Sequence, residues 1–500
     1  MMANPRVYQQ PRIKTQSEKP LHVAMVAPEI GPFAKTGGLG DVLDSLPKAL
    51  EQLGVRLSLI MPAYRSVLEG DFPLENTGIR FTVPVSDRRE RVRLFRTTAG
   101  KAITVYFIRA DWYFDREYYY GPPEGGYPDN AERFVYFSRA ALEVLKLDPP
   151  HIFHAHDWQS ALSIAFLKAQ PNLYPELSSV KTVMTVHNLG YQGLFWGLDW
   201  HLLNLDRSFF TPRYLEFYGD INFLKGGLVF ADAITTVSPT YAEEIKTPEY
   251  GFRLDGVFRE RAANLVGILN GADYETWNPE TDLFISKRYS PQDLSGKRDC
   301  KADLQRLFCL PVNPRIPLVG MVTRLTSQKG LDLMAEALEK LLSRRLQLVI
   351  LGSGDKYFQD IFSREPAKHP RKLAVKIDFD ESLAHKVIAG SDMLLMPSRY
   401  EPCGLTQLYG LKYGTVPIVR ATGGLKDTIK KYDPRKGTGN GFVFGPYRVS
   451  GLLKALDSAL AAFQQKEQWT TLMKNAVAAD FSWNRSAQQY LELYRKLGKT

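Results

Sequence analysis

Short apolar runs alternate with longer amphipathic runs along most of the chain. In the first half, Leu21–Ala27, Arg56–Met61 and Ile152–His156 predict buried strands, while Val42–Leu53 and Ala131–Leu147 predict helices. The second half repeats this scheme, with predicted strands at Leu318–Val322, Leu346–Leu351, Lys372–Ile377, Met393–Met396 and Val416–Val419. Strands that alternate with helices predict an α/β fold with parallel, doubly wound sheets.

A short internal echo indicates two related halves. The sequence TGGLGD at Thr36–Asp41 recurs as TGGLKD at Thr422–Asp427, before a helix predicted to start near Asp427. Two doubly wound domains that face each other bind a ligand between the carboxyl ends of their strands. We therefore expect a flexible tail at residues 1–20, a first domain at 21–270, a second at 271–484 and a separate C-terminal helix within 485–500.

Composition narrows the class of protein. Of the 500 residues, 44% are hydrophobic and 24% are charged, which are ordinary values for a soluble globular protein. No apolar run approaches the ~18 residues that a membrane span needs, so no membrane partner is expected. The net charge of +10 suits an anionic ligand. Because no Lys/Arg block is interleaved with aromatic residues, we do not expect nucleic acid as a partner.

The cysteine count and the N-terminus bear on the compartment. Cys300, Cys309 and Cys403 are too few, and odd in number, for a disulfide framework, which favours a reducing environment. Residues 1–20 are polar and lack the apolar segment of a secretory signal. We therefore expect a cytoplasmic protein.

The stretch KTGGLGD, Lys35–Asp41, lies between a predicted strand and a predicted helix. Glycines let the backbone approach a bound group closely, and the start of a helix offers free N–H groups to an anion. Lys35 adds a full positive charge. The stretch is either a phosphate cradle or a plain turn that needs glycine, because it matches neither of the common phosphate-loop motifs.

Two later loops carry further candidate chemistry. Arg324 and Lys329 lie five residues apart on one loop and could both reach a diphosphate, although a solvated surface loop is the alternative. Glu401 precedes the N–H groups of Gly404 to Thr406 at a predicted helix start. A carboxylate there suits the hydroxyls or the developing positive charge of a sugar, and a structural salt bridge is the alternative.

Histidines and acids raise the question of a metal. His154, His156 and Asp157 close one strand and His187 closes another, but no metal-ligand spacing recurs. We expect His154 and His156 to be core residues bonded to backbone carbonyls. The acids of Asp378–Asp380 (DFD) superficially resemble a metal–nucleotide motif, but acids at a helix start explain them well. We therefore predict no metal site.

Taken together, these motifs resemble those of bacterial glycogen synthases and plant starch synthases, the glucan synthases that use ADP-glucose. The similar stretches run in family order from about residue 21 to the C-terminus: Lys35–Val42, His154–Trp158, Thr185–Gly193, Tyr218–Ile245, Gly267–Pro279, Arg324–Asp332, Glu401–Thr428 and Phe481–Trp483. The resemblance implies a GT-B glycosyltransferase, with two Rossmann-like domains facing across a cleft and a last helix, Arg485–Leu497, that crosses back to the first domain. It also implies transfer of glucose from ADP-glucose to the non-reducing end of an α-1,4-glucan such as glycogen, with retention of configuration, release of ADP, and no metal or other cofactor.

The resemblance also implies roles for individual residues. Arg324 and Lys329 would neutralise the leaving diphosphate, Glu401 would hold donor hydroxyls and stabilise an oxocarbenium-like centre, and Asp157 and His187 would contact the reacting sugars. The residues expected to bind substrate are Lys35, Gly37, Gly38, Asp41, Tyr127, Asn270, Phe379, Cys403, Gly404, Leu405 and Thr406.

Two departures from relatives stand out. Glu401 is followed eight positions later by Tyr409 rather than by a second glutamate, which favours the glycogen/starch synthase branch over sucrose-synthase-like enzymes. Phe379 stands where relatives commonly have a tyrosine under the adenine, so stacking would survive without the hydroxyl. There are two rival hypotheses, a glucan-binding protein without turnover and a dinucleotide oxidoreductase. The sequence argues against the oxidoreductase, because it lacks the G-x-G-x-x-G motif that dinucleotide binding requires after the first strand.

Overall fold

The computed structural model describes residues 20–122, 125–378 and 380–498. The predicted tail therefore lies outside the described residues except for Pro20, and so does Phe379, the predicted face for the nucleobase.

Within the described residues, the larger sheet has nine strands, which occur in the spatial order β12-β11-β7-β6-β1-β2-β5-β4-β3. They are β1 (His22–Val26), β2 (Arg56–Pro62), β3 (Glu75–Val85), β4 (Arg88–Thr98), β5 (Ile103–Arg109), β6 (Ile152–His156), β7 (Lys181–Val186), β11 (Ala233–Thr236) and β12 (Leu265–Gly267). A separate small sheet contains β8 (Leu194–Phe195), β9 (Glu216–Phe217) and β10 (Asp220–Asn222). We call the part built on the larger sheet the first domain.

The second domain is built on a sheet of six parallel strands in the described chain, in the order β15-β14-β13-β16-β17-β18. They are β13 (Leu318–Val322), β14 (Gln347–Leu351), β15 (Leu373–Lys376), β16 (Met393–Met396), β17 (Val416–Arg420) and β18 (Phe442–Phe444). Central strands such as β14 and β16 are buried along their whole length, as helices on both faces require.

Helices connect the strands in both domains. Those of the first domain are α1 (Gly38–Gln52), α2 (Arg65–Leu68), α3 (Asp111–Phe114), α4 (Asn130–Leu147), α5 (Asp157–Ala169), α6 (Phe223–Phe230), α7 (Pro239–Glu244) and α8 (Asp255–Glu260). The later ones are α9 (Gly296–Leu307), α10 (Leu331–Leu342), α11 (Lys356–Arg364), α12 (Glu381–Gly390), α13 (Thr406–Lys412), α14 (Gly423–Thr428), α15 (Val449–Gln464), α16 (Lys466–Val477) and α17 (Trp483–Gly498). The predicted α/β fold with two doubly wound sheets is confirmed, and the strands are parallel except at one edge of the larger sheet.

Two local predictions need correction. The helix expected to start near Asp427 instead begins at Gly423, and Asp427 lies in its last turn. The strands β3 and β4 form an antiparallel hairpin at the edge of the larger sheet, where the sequence pattern led us to expect only parallel strands. Buried residues alternate with more exposed ones along the second half of β4, because one face of this strand is open to solvent.

The last helix, α17, packs on the first domain. Its residues Trp483, Ala487, Tyr490, Leu491 and Tyr494 recur every three or four positions and belong to the same buried apolar cluster as β1 and β6. This spacing produces one apolar stripe on the helix. The chain thus returns from the second domain to cover the first.

Candidate active site

A cavity of about 760 Å³ lies between the two domains, at the carboxyl ends of their strands. This is the position at which doubly wound sheets bind ligands. The predicted site residues that line it are Lys35, Gly37, Gly38, Asp41, Asp157, His187, Asn270, Arg324, Lys329, Glu401, Cys403, Gly404, Leu405 and Thr406. Segments that are hundreds of residues apart in sequence therefore converge on one volume.

The turn after β1 presents Lys35 to the cavity. The Lys35 Nζ atom lies 2.7 Å from Asp41 Oδ1, on the first turn of α1, and 3.7 Å from Glu381 Oε1, which belongs to the second domain. Burial lowers the pKa of Lys35, but the two carboxylates outweigh burial and raise it overall. Lys35 is therefore charged at neutral pH and bridges the two domains.

Glu29 and Tyr120, which the sequence patterns did not single out, hold this turn. Glu29 is buried and accepts hydrogen bonds from the Thr36 backbone N–H at 2.5 Å and the Thr36 hydroxyl at 2.7 Å. The Tyr120 hydroxyl donates to the same carboxylate at 2.6 Å. Both residues line the cavity, and burial raises the pKa of Glu29. Because Glu29 belongs to no recognisable sequence motif, its role can be identified only from its hydrogen bonds in the folded protein.

On the opposite wall, the partly buried Lys329 forms an ion pair with the buried Glu401. The Lys329 ammonium donates to both Glu401 oxygens, at 2.8 and 2.7 Å, and the Ser398 hydroxyl donates to Glu401 Oε2 at 3.0 Å. The Glu401 side chain is only 5% exposed. Because an ammonium has three donors, Lys329 can hold Glu401 and still donate to a ligand.

Contacts between the domains also close the rim of the cavity. The Arg324 guanidinium donates to the Tyr191 hydroxyl at 3.1 Å, and the Asn188 side-chain amide donates to Gln328 Oε1 at 3.4 Å. Arg324 and Lys329 flank Gln328 on one loop after β13. The predicted pair of cations therefore faces the same cavity as Lys35.

Asp157 occupies a strained position at the end of β6. It starts α5 with φ +55°, a region that non-glycine residues seldom adopt. Its Oδ1 atom accepts a hydrogen bond from the His187 backbone N–H at 2.7 Å. Burial outweighs this bond and raises the pKa of Asp157 to about 7. The carboxyl group can therefore gain or lose a proton near neutral pH.

The histidines form a buried row behind Asp157. His154 Nδ1 lies 2.8 Å from the Tyr494 hydroxyl and His154 Nε2 lies 2.5 Å from Thr185 Oγ1, while His156 Nδ1 lies 3.0 Å from His187 Nε2. The prediction that His154 and His156 are buried is correct, but three of their ring nitrogens contact side chains rather than the backbone carbonyls that we expected, and His156 Nε2 has no hydrogen-bond partner among the described residues. Burial lowers the pKa of His187 to about 3, so this ring is neutral at physiological pH.

Residues at the junction of the domains complete the lining. Asn270 is buried, and its side-chain oxygen has no hydrogen-bond partner among the residues that the structure describes. This oxygen can therefore accept a hydrogen bond from a ligand in the cavity. Burial raises the pKa of the neighbouring Cys403 thiol to about 12, so the thiol stays protonated and is not an activated nucleophile.

Comparison with known proteins identifies the family. The family model described as "Starch synthase catalytic domain" matches residues 22–260, and the one described as "Glycosyl transferases group 1" matches residues 310–475. A glycogen synthase of Koribacter versatilis is 48% identical over 95% of this chain and 98% of its own length. The glycogen synthase of Thermotoga maritima is 43% identical over 95% of this chain and 99% of its own.

The chain belongs to the glycogen synthase family.

Solved structures agree with this membership. The catalytic domain of starch synthase IV from Arabidopsis thaliana, bound to ADP and acarbose, superposes with a TM-score of 0.88 at 33% identity, covering 96% of this chain and 100% of that one. A sucrose-phosphate synthase from Thermosynechococcus elongatus, with a TM-score of 0.57 at 18% identity, shares the fold alone. The GT-B fold and the resemblance inferred from the sequence are thus confirmed, and the protein is a glycosyltransferase.

One predicted residue of this glycogen synthase family member lies away from the cavity lining, and a second lies outside the described residues. Tyr127 does not line the cavity, because its ring lies against the guanidinium groups of Arg116 and Arg133, at 4.7 and 5.1 Å from the ring centre. Its role near the glucan or the donor stays a prediction. Phe379 lies outside the described residues, so its place under the base also stays a prediction.

Asp380, one of the two acids beside Phe379, has a structural role in this family member. Asp380 Oδ1 accepts hydrogen bonds from the Leu383 N–H at 2.9 Å and the Ser382 hydroxyl at 2.7 Å, and so caps α12 as predicted.

Among the described residues, one group of acids and histidine is close enough to share a cation, namely Glu339, Glu365 and His369. None of the three lines the cavity. No helix in the described part of the chain is long and apolar enough to cross a membrane.

Proposed function

We propose that this glycosyltransferase moves glucose from ADP-glucose to the non-reducing end of an α-1,4-glucan, with retention of configuration and release of ADP. The observation that carries the proposal is the Lys329–Glu401 pair in a cavity that also holds Lys35 and Arg324. Three cations from two domains suit a diphosphate, and a carboxylate next to them suits a sugar. Likeness to a starch synthase bound to ADP and acarbose supports adenosine as the nucleoside and a glucan as the acceptor.

In the reaction, the bond between the glucose anomeric carbon and the diphosphate oxygen breaks, and its electron pair leaves with ADP. Lys329 and Arg324 stabilise the negative charge that develops on the leaving diphosphate. The Glu401 carboxylate stabilises the positive charge that develops on the sugar. The acceptor hydroxyl oxygen forms the new bond on the face that the diphosphate leaves, and its proton passes to the departing diphosphate.

First-domain residues orient the sugars in this scheme. The ionised Asp157 carboxylate accepts a hydrogen bond from a sugar hydroxyl, and the neutral His187 contacts the donor sugar. Asn270 offers its unpartnered side-chain oxygen to the ligand, and Lys35 binds the diphosphate from the opposite wall. These positions hold the reactants close together, which lowers the entropic part of the barrier.

We further propose that neither a metal nor another cofactor takes part. Lys35, Arg324 and Lys329 supply the positive charge that a metal would otherwise bring to a diphosphate.

We also propose that the protein is located in the cytoplasm. This location is supported by the three cysteines, Cys300, Cys309 and Cys403, which are all free.

Transfer of labelled glucose from ADP-glucose into glycogen tests this function with two variants. Glu401→Gln, which keeps the shape of the side chain, should fold and be nearly inactive. Lys329→Ala should lower kcat by at least about 100-fold, because a charge partner of the transition state is lost. The control is Lys340→Ala, at an exposed lysine near the end of α10, which should leave kcat unchanged.

Other outcomes would favour a rival. A wild-type protein that binds glycogen but transfers no glucose to it would be a glucan-binding protein without turnover. Turnover at the wild-type rate in Glu401→Gln would remove Glu401 from the chemistry. A dinucleotide oxidoreductase would bind NADH or NADPH in a titration, and we expect no binding.

A further inference from the structure

The second TGG turn, Thr422–Gly424, lies directly beneath the Glu401 loop. The Gly424 N–H donates to the backbone carbonyls of both Glu401 and Pro402, each at 3.1 Å. Gly423 has φ +43°, and a Cβ atom at this position would lie 1.9 Å from the Glu401 carbonyl oxygen. Only glycine therefore permits this approach. The backbone of Glu401 rests on the turn.

A carboxylate of the first domain holds the Thr422–Gly424 turn in place. Glu244, at the end of α7, accepts hydrogen bonds from the Thr422 hydroxyl, at 3.0 and 3.2 Å from its two oxygens, and from the Gly423 N–H, at 3.1 Å from both. Thr422 is fully buried. The first TGG turn is also held by a glutamate, but there Glu29 accepts hydrogen bonds from both the N–H and the hydroxyl of Thr36 and belongs to the same domain as the turn.

A second carboxylate, from the second domain, binds a threonine of the first domain. Asp427, in the last turn of α14, accepts hydrogen bonds from the Thr240 N–H at 2.9 Å and the Thr240 hydroxyl at 2.6 Å. Thr240 lies at the start of α7. Beside this pair, the buried Ser238 hydroxyl donates to the Pro402 carbonyl at 2.6 Å. Each domain thus supplies a carboxylate to a threonine and a backbone N–H of the other.

We propose that Glu244 and Asp427 form a reciprocal clasp that positions Glu401 against the first-domain half of the active site. Glu401 belongs to the second domain, whereas Asp157 and His187 belong to the first, and transfer requires all three around one sugar. The clasp joins the domains at the turn on which the Glu401 backbone rests. This inference rests on the proposed function, and both residues are positioning residues that do not touch the substrate.

Kinetics of Glu244→Ala test the clasp. We expect kcat to fall at least about 10-fold while the Kd for ADP, measured by calorimetry, changes less than about 3-fold, because the diphosphate-binding cations remain. The milder Thr240→Val, which removes only the hydroxyl donor to Asp427, should lower kcat several-fold in the same pattern. The matched control is Glu243→Ala: Glu243 is the exposed neighbour of Glu244 and pairs with Lys246 on the same face. It should leave kcat unchanged.

Hydrogen–deuterium exchange supplies a readout that needs no turnover. In Glu244→Ala, exchange should rise in peptides covering residues 421–428 and also in those covering 397–405, whereas Glu243→Ala should match the wild type. Wild-type kcat in a folded Glu244→Ala protein, or unchanged exchange at 397–405, would overturn the proposal. If the wild-type protein transfers no glucose, the proposed function fails, and the exchange result still decides whether the clasp holds the loop.

Discussion

Asp157 shows how burial changes the chemistry of one residue. With its pKa raised to about 7, the carboxyl group changes charge in the range where the enzyme works. His187, with a pKa of about 3, does not titrate there. Since the proposed role needs the ionised form, kcat/KM for the glucan should rise as pH increases through about 7. Asp157→Asn should lose this rise along with most activity, and a wild-type profile that is flat or falls through pH 7 would contradict the role.

The raised pKa of Asp157 also makes the free energy of unfolding depend on pH. An aspartate in an unfolded chain has a pKa of about 4, so the folded protein holds this proton more tightly than the unfolded chain does. The resulting stabilisation is complete below about pH 4 and declines as pH rises through about 7. Asp157→Asn, which has no proton to lose, should remove this part of the pH dependence of the midpoint of urea unfolding.

At the residue scale, local sequence identified residue types but not their partners. Lys35, Arg324, Lys329 and Glu401 stood out because they follow predicted strands, which is where such folds bind ligands. The pairing of Lys329 with Glu401 was not predictable, since 72 positions separate them. Glu29 was missed although Thr36 is near it in the sequence, because its importance lies in contacts that form only after folding.

At the scale of elements, helix α17 links the C-terminus to the histidine row. The Tyr494 hydroxyl contacts His154 Nδ1 at 2.8 Å, and both residues are fully buried. Tyr494→Phe keeps the ring but leaves a buried histidine nitrogen without its partner, which should lower the free energy of unfolding by about 1–3 kcal/mol. Urea unfolding measures this change. The control is Glu492→Ala, on the exposed side of the helix, and an equal loss in both variants would contradict the assigned contact.

Elements with strong patterns were predictable, and elements set by distant partners were not. The strands β1, β13 and β16 consist almost entirely of apolar residues, so they lie within one or two residues of their predicted limits. The hairpin of β3 and β4 was missed because it lies at a sheet edge, where its charged residues obscure the apolar signal. The start of α14 was misplaced because its first turn is set by Glu244, which is 179 positions from Gly423.

At the scale of the whole molecule, charge across the cleft predicts closure on the donor. Lys35 is on one domain, and Arg324 and Lys329 are on the other, so a diphosphate between them would draw the domains together. Small-angle scattering should therefore show a smaller radius of gyration when ADP is added. Lys35→Ala should reduce this compaction, because one wall then lacks its cation. An unchanged radius at saturating ADP would count against closure.

The most direct test of the proposed activity is glucose transfer with a glycogen primer, comparing labelled ADP-glucose with labelled UDP-glucose. We expect ADP-glucose to be the better donor and the label to enter glycogen in α-1,4 linkages. β-Amylase, which removes maltose from non-reducing ends, should then release it. Label that does not enter glycogen from either donor, or that enters in a linkage resistant to β-amylase, would contradict the central claim.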